Sequence, residues 1–126
     1  MANWEVEFTD EFLQWWKGLS EDEQESVDFS VGLLIEFGPM LRYPYTSQVR
    51  TSAFGEMREL RVQHEGRPYR VFYAFDPRRT AMLLIGGDKT GNDKRFYELM
   101  VPLADGIFKE HLETLAAEAK AAKEKA

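Results

Sequence analysis

The chain has 126 residues and a mass of 14.6 kDa, enough for one hydrophobic core and too few for two; 44% apolar, 30% charged and 13% aromatic residues exclude the disordered and collagen-like classes. It has no cysteine, which excludes disulfide frameworks and Cys-based zinc sites, and its two histidines cannot build a zinc site alone. A formal net charge of −6 argues, taken by itself, against a nucleic-acid partner; the acidic opening MANWEVEF and the lack of any apolar run near the roughly 18 residues of a membrane span lead us to expect a cytoplasmic protein.

Trp4, Val6 and Phe8 alternate with Glu5 and Glu7, which predicts a short half-buried strand. Asp10 is the expected N-cap of a helix running to about Lys17, with Phe12, Leu13, Trp15 and Trp16 as its apolar stripe and Gly18 as its stop. Ser20 and Glu23 form a capping box for a second helix, in which Val27, Val31, Leu34 and Ile35 share one face until Gly38-Pro39 ends it. The two helices predict an αα-hairpin. From Met40 to Gly55 no period is visible and a long connecting loop is expected. Arg58 to His64, Pro68 to Asp76 and Thr80 to Gly86 then read as a three-strand meander, the last strand buried on both faces. A glycine-rich loop leads into a C-terminal helix capped by Asn92 or Asp93; Pro102 is expected to kink that helix or begin a new one. One domain over residues 1–115 is expected, with residues 116–126 a frayed, solvated helical tail.

The net charge hides a split. Between Arg42 and Arg95 stand eleven basic residues against six acids, leaving the two ends strongly acidic, and this asymmetry suggests one anion-attracting surface. The hairpin sharpens the point. An even turn at Glu65-Gly66 pairs His64 with Arg67, Val62 with Tyr69, Leu60 with Val71 and Arg58 with Tyr73 on one face, and Arg61 with Arg70 on the other. Like charges set opposite each other destabilise a sheet unless something offsets them. A bound phosphodiester held by two guanidinium forks on an open face would do so, and so would relief from Glu59. Lys89, Lys94 and Arg95 follow on the next loop and helix start, and Arg58, Arg67, Lys94 and Arg95 are the expected surrounding phosphate contacts. The Gly86–Gly91 stretch lacks Walker spacing. His64 is expected to be exposed at the hairpin tip, His111 to be structural, and Trp15, Trp16 and Phe12 to be core. Tyr97 belongs either to the core or to the border of the basic groove.

Met57-Arg58-Glu59-Leu60-Arg61, Tyr69-Arg70-Val71-Phe72-Tyr73 and Leu83-Leu84-Ile85-Gly86-Gly87-Asp88-Lys89-Thr90, in that order, resemble the RelE/ParE toxin superfamily, and within it the HigB branch of phage-derived Gp49-like proteins. The resemblance runs from about Val6 through His111. It implies a small α+β fold, with an N-terminal helical hairpin packed on a mainly antiparallel twisted sheet and a C-terminal helix. It also implies a type II toxin, a metal-independent endoribonuclease without cofactor that cuts mRNA on the ribosome and is silenced by a small helix-turn-helix antitoxin, with no membrane partner. Carried over by position, the family's functional arginines correspond to Arg61 and Arg70 and its loop lysine to Lys89. Many members carry K-K-T where this chain has Asp88-Lys89-Thr90.

Metal-free cleavage of RNA needs a base for the 2′-hydroxyl, a cation for the charged phosphorane and an acid for the 5′-oxygen. Arg61 and Arg70 suit the cation role. The base must come from Lys89, Lys94, Tyr97 or His64, and crowding by the arginines is expected to favour a lysine. Two other readings remain on this scaffold: a non-enzymatic ParE-like inhibitor of DNA gyrase, and a phage-derived binding protein with no toxicity.

Overall fold

The computed structural model describes residues 3–125. In chain order the elements are β1 (Val6–Phe8), α1 (Asp10–Lys17), α2 (Glu21–Phe37), a 3-10 turn (Gly38–Met40), β2 (Thr46–Gln48), β3 (Arg58–His64), β4 (Arg67–Phe75), β5 (Ala81–Asp88) and α3 (Asp93–Lys125). The strands form one sheet in the order β1-β5-β4-β3-β2. Only β1 beside β5 is parallel. This is the expected α+β architecture.

Glu65 (φ 49°) and Gly66 (φ 79°) both take positive φ, as a two-residue hairpin turn matched to strand twist requires. The turn fixes the expected register in full, from His64 opposite Arg67 through Arg61 opposite Arg70 to Arg58 opposite Tyr73. Leu60, Val62, Tyr69, Val71 and Tyr73 face one side, where Phe12 of α1 and Val27 and Leu34 of α2 cover them. The opposite side is not the open face that sequence predicts. Phe72, Ala74, Met82 and Leu84 lie there beneath Val101, Ala104 and Phe108 of α3, which recur at the three- and four-residue spacing of a single apolar stripe.

The helix ends show how the layers are tied. Thr9, not Asp10, caps α1: its hydroxyl accepts from the Phe12 amide at 3.1 Å and donates to the Leu84 carbonyl at 2.6 Å, joining α1 to β5. The Ser20–Glu23 capping box forms as expected. Asn92 caps α3 by accepting from the Arg95 amide at 3.1 Å. Pro102 neither ends nor restarts α3, which is one helix; the residue is exposed, so water can reach the carbonyl that it leaves without a donor. Beyond Leu115 the helix continues with its residues exposed.

Two further departures matter. The supposed loop from Met40 to Gly55 contains β2, whose buried Thr46 hydroxyl donates to the Glu59 carbonyl at 3.0 Å and meets the Tyr73 hydroxyl at 2.7 Å. His64 is buried, its Nδ1 2.8 Å from the Ser26 hydroxyl. His111 has the structural place expected of it: its Nε2 donates at 2.8 Å to Asp76, a buried carboxylate that also accepts from Arg78 and Thr80. Burial works to raise the Asp76 pKa, but the bonds from Arg78 and His111 outweigh it and hold the carboxyl below its ordinary value.

Gly86 allows α1 to sit close on β5, since a Cβ there would lie 2.4 Å from the Trp15 ring. Gly86→Ala should therefore lower the unfolding free energy by roughly 1–3 kcal/mol through overpacking, measured by urea unfolding. A change under half a kcal/mol would show that the α1–β5 contact is not tight.

Candidate functional site

The site is best built from β3 outward. Glu59 and Arg61 stand two residues apart on one strand and so on one face, the side that α3 covers. Glu59 is 5% exposed, and its carboxylate is shared: one oxygen accepts from Tyr97 Oη at 2.7 Å, the other from Ser47 Oγ at 2.7 Å. Arg70 Nε lies 3.6 Å from the oxygen that Tyr97 contacts. Among the described residues that Nε is the only buried side-chain nitrogen or oxygen without a hydrogen bond. Arg70 Nη1 donates to the Tyr69 carbonyl at 3.0 Å.

The expected pair of solvent-facing guanidiniums is therefore not made. Arg61 and Arg70 are partners in register, but Arg70 is 3% exposed and committed to Glu59. Glu59 supplies the relief that the opposed charges need, and α3 seals the arrangement. Arg61 turns the other way along the sheet edge, its guanidinium 5.0 Å over the Tyr43 ring, and has no carboxylate partner among the described residues.

Burial first, and then the bond to Glu59, push the Tyr97 phenol up to about 12. It stays protonated through the physiological range and works as a donor. Lys89, on the loop between β5 and α3, has its Nζ 5.7 Å from the centroid of the Tyr97 ring and 3.4 Å from Asp93 Oδ2. The crowding by arginines expected around Lys89 is replaced by a carboxylate.

The other predicted contacts do not share this face. Arg58 and Arg67 point to the side of α1 and α2, where Arg67 pairs with Glu23 and Asp88, each at 3.3 Å. Lys94 and Arg95 stand exposed at the start of α3, Lys94 4.0 Å from Glu98. The single basic surface is thus divided between two faces. His64, behind the sheet with Ser26, is not among the groups brought together. Asp88 accepts from the amide and hydroxyl of Thr90 and so shapes the loop that presents Lys89.

Sequence reasoning gave Glu59 no part beyond charge relief, yet the E-L-R spacing carried its signal: a residue two before Arg61 lies diagonal to Arg70 across the pair. No group of three or more His, Asp or Glu among the described residues is placed to hold a metal ion, and no described helix is long and apolar enough to cross a membrane.

Comparison with known proteins places this geometry in context. The profile of the family "Phage derived protein Gp49-like" matches residues 14–109. The toxin candidate HigB3 of Mycobacterium tuberculosis is 44% identical over 92 residues, 73% of this chain and 79% of that protein. HigB2 of the same organism, also a toxin candidate, is 38% identical over 99 residues, 78% of this chain and 49% of its own length. Among solved structures, a free-state mutant of the Escherichia coli toxin RelE aligns with a TM-score of 0.55 at 14% identity, covering 76% of this chain and 93% of that one. RelE in the archaeal RelE–RelB complex of Pyrococcus horikoshii aligns with a TM-score of 0.51 at 14% identity, over 69% and 96%. These likenesses bear out the RelE-like fold.

Removing the charge of Glu59 strands a buried guanidinium. Glu59→Gln should cost about 3–5 kcal/mol in urea unfolding, and the double change with Arg70→Met should recover most of it; equal costs for single and double variants would refute the coupling. In an alkaline titration followed by phenolate absorbance, Tyr97 should ionise near 12 and Glu59→Gln should bring it down. Because the folded value lies above the unfolded one near 10, the stability from Tyr97 is complete below about pH 10 and disappears as the pH rises towards 12.

Proposed function

We propose that this chain, which belongs to the phage-derived Gp49-like protein family and is a HigB-type toxin of the RelE superfamily, acts as a metal-independent endoribonuclease on mRNA. It is the toxin of a toxin–antitoxin pair. Its antitoxin is a small helix-turn-helix protein and its substrate is mRNA on the ribosome in the cytoplasm. The observation that carries the reading is the Tyr97 hydroxyl fixed on a buried carboxylate beside Lys89, with Arg61, which has no carboxylate partner among the described residues, two residues along β3 from that carboxylate.

The 2′-oxygen of the substrate attacks phosphorus as the bond to the 5′-oxygen breaks, leaving a 2′,3′-cyclic phosphate and a 5′-hydroxyl. Arg61 and Lys89 hold the phosphate and stabilise its growing charge, as paired cations do in a partly dehydrated site. Tyr97 turns its one O–H from Glu59 to the departing oxygen, whose basicity exceeds even that of a phenol raised to about 12, and the phenolate then regains a proton from solvent. The 2′-hydroxyl proton passes to solvent. Arg70 is a positioning residue: sealed by α3, it holds Glu59, which holds Tyr97. Positioning by the ribosome supplies what the small site lacks.

After induction in cells, primer extension on cellular mRNA should reveal new 5′ ends at in-frame positions. Tyr97→Phe should reduce their rate of appearance by about 10²–10⁴ and Lys89→Gln by about 10². Growth arrest without new ends would instead place this chain with the gyrase inhibitors, and neither arrest nor ends would make it a binding protein.

A further inference from the structure

β2 spans three residues and covers β3 only as far as Leu60, so the edge of β3 beyond Arg61 borders a groove of about 620 Å³. At its mouth the segment Arg42-Tyr43-Pro44-Tyr45 is pinned by its backbone: the Tyr45 amide donates to the Arg42 carbonyl at 3.0 Å, and the Arg61 amide donates to the Tyr45 carbonyl at 2.9 Å. The side chains are nevertheless presented to solvent, Tyr43 being 71% exposed and Tyr45 47%. One face of the Tyr43 ring carries the Arg61 guanidinium and the rest of the ring is open. Arg42 and Arg61 both lack a carboxylate partner among the described residues, whereas Arg67, Arg70, Arg78, Lys89 and Lys94 are all ion-paired.

We infer that Tyr43, Tyr45 and Arg61 form a binding subsite for single-stranded RNA, in which the bases flanking the cleaved bond stack on the tyrosines while Arg61 holds its phosphate. The inference rests on the reading of this chain as an RNA-cleaving toxin and names how it grips its substrate. Rigidly mounted, exposed rings beside unpaired cations are what an unpaired nucleotide needs: stacking accepts any base, and the cation fixes the backbone. The carboxylates in the groove, Asp22, Glu25 and Glu65, belong to α2 and the hairpin tip. They repel phosphates from that wall and leave the Arg61 side as the path for the strand. Arg61 is the register partner of Arg70 and stands two residues along β3 from Glu59, so a strand held there can run on around the sheet edge towards the Glu59–Tyr97 cluster.

The test uses the full chain and a fluorescein-labelled ten-nucleotide RNA of mixed sequence, with fluorescence anisotropy as readout. Tyr43→Ser and Tyr45→Ser should each weaken binding roughly tenfold. Arg61→Gln should weaken it and reduce the slope of log K against log salt by about 0.7. Leu103→Gln, which removes an equally exposed apolar side chain on α3, should leave affinity unchanged. Circular dichroism confirms that each variant is folded. If the tyrosine variants bind the RNA as wild type does while wild-type toxin cuts mRNA in cells, the subsite is wrong and the endoribonuclease reading stands. If the wild type neither binds the RNA nor cuts mRNA, both fall together.

Discussion

A carboxylate sealed under a helix decides where the other polar groups of this protein can stand. Removing Glu59 from water costs several kcal/mol, and the cost is offset only because Ser47, Tyr97 and Arg70 all converge on its two oxygens. That convergence spans the sheet: Ser47 comes from β2, Arg70 from β4 and Tyr97 from α3. One side chain on β3 therefore fixes an edge strand and the covering helix in relation to each other. It also separates the two arginines that the hairpin sets side by side. Arg70 is spent on neutralising Glu59, and Arg61 has no such partner among the described residues.

The neighbouring loop follows the same logic on a smaller scale. Asp88 takes up Thr90 and Arg67, and Asp93 takes up Lys89, so the lysine is held near the Tyr97 ring instead of ranging through solvent. The acids of the basic middle are the scaffolding of its cations. Farther along the same α3-covered side Asp76 does the equivalent work for Arg78 and His111, anchoring α3 to the turn between β4 and β5. A helix tied at that end, and by Tyr97 near its start, keeps the buried face dry.

What sequence could reveal was whatever depends on local rules. The register of the β3–β4 hairpin is legible residue by residue, because a two-residue turn with positive φ leaves one pairing and alternation assigns the faces. The capping box at Ser20, the cap at Asn92 and the burial of β5 are legible for similar reasons. The position of α3 is not, since its apolar stripe says that it must be buried and not on which side of the sheet. With α3 misplaced, Arg70 is read as exposed. β2 is missed because Thr-Ser-Gln is short and polar, and its burial comes from tertiary hydrogen bonds. Counting charges treats all eleven central cations as equal, whereas pairing with acids removes Arg67, Arg70, Arg78, Lys89 and Lys94 from the free set.

In the proposed reaction Tyr97 is a proton donor to a leaving oxygen, set in place by Glu59. An mRNA carrying sulfur in place of the bridging 5′-oxygen at the cleavage position tests this most directly, because a thiolate departs without a proton. Single-turnover cleavage of that transcript on ribosomes should proceed at nearly the same rate with wild-type toxin and with Tyr97→Phe, although the variant is slow on the natural oxygen substrate. An equal defect on both substrates would contradict the assignment and leave Tyr97 a packing residue.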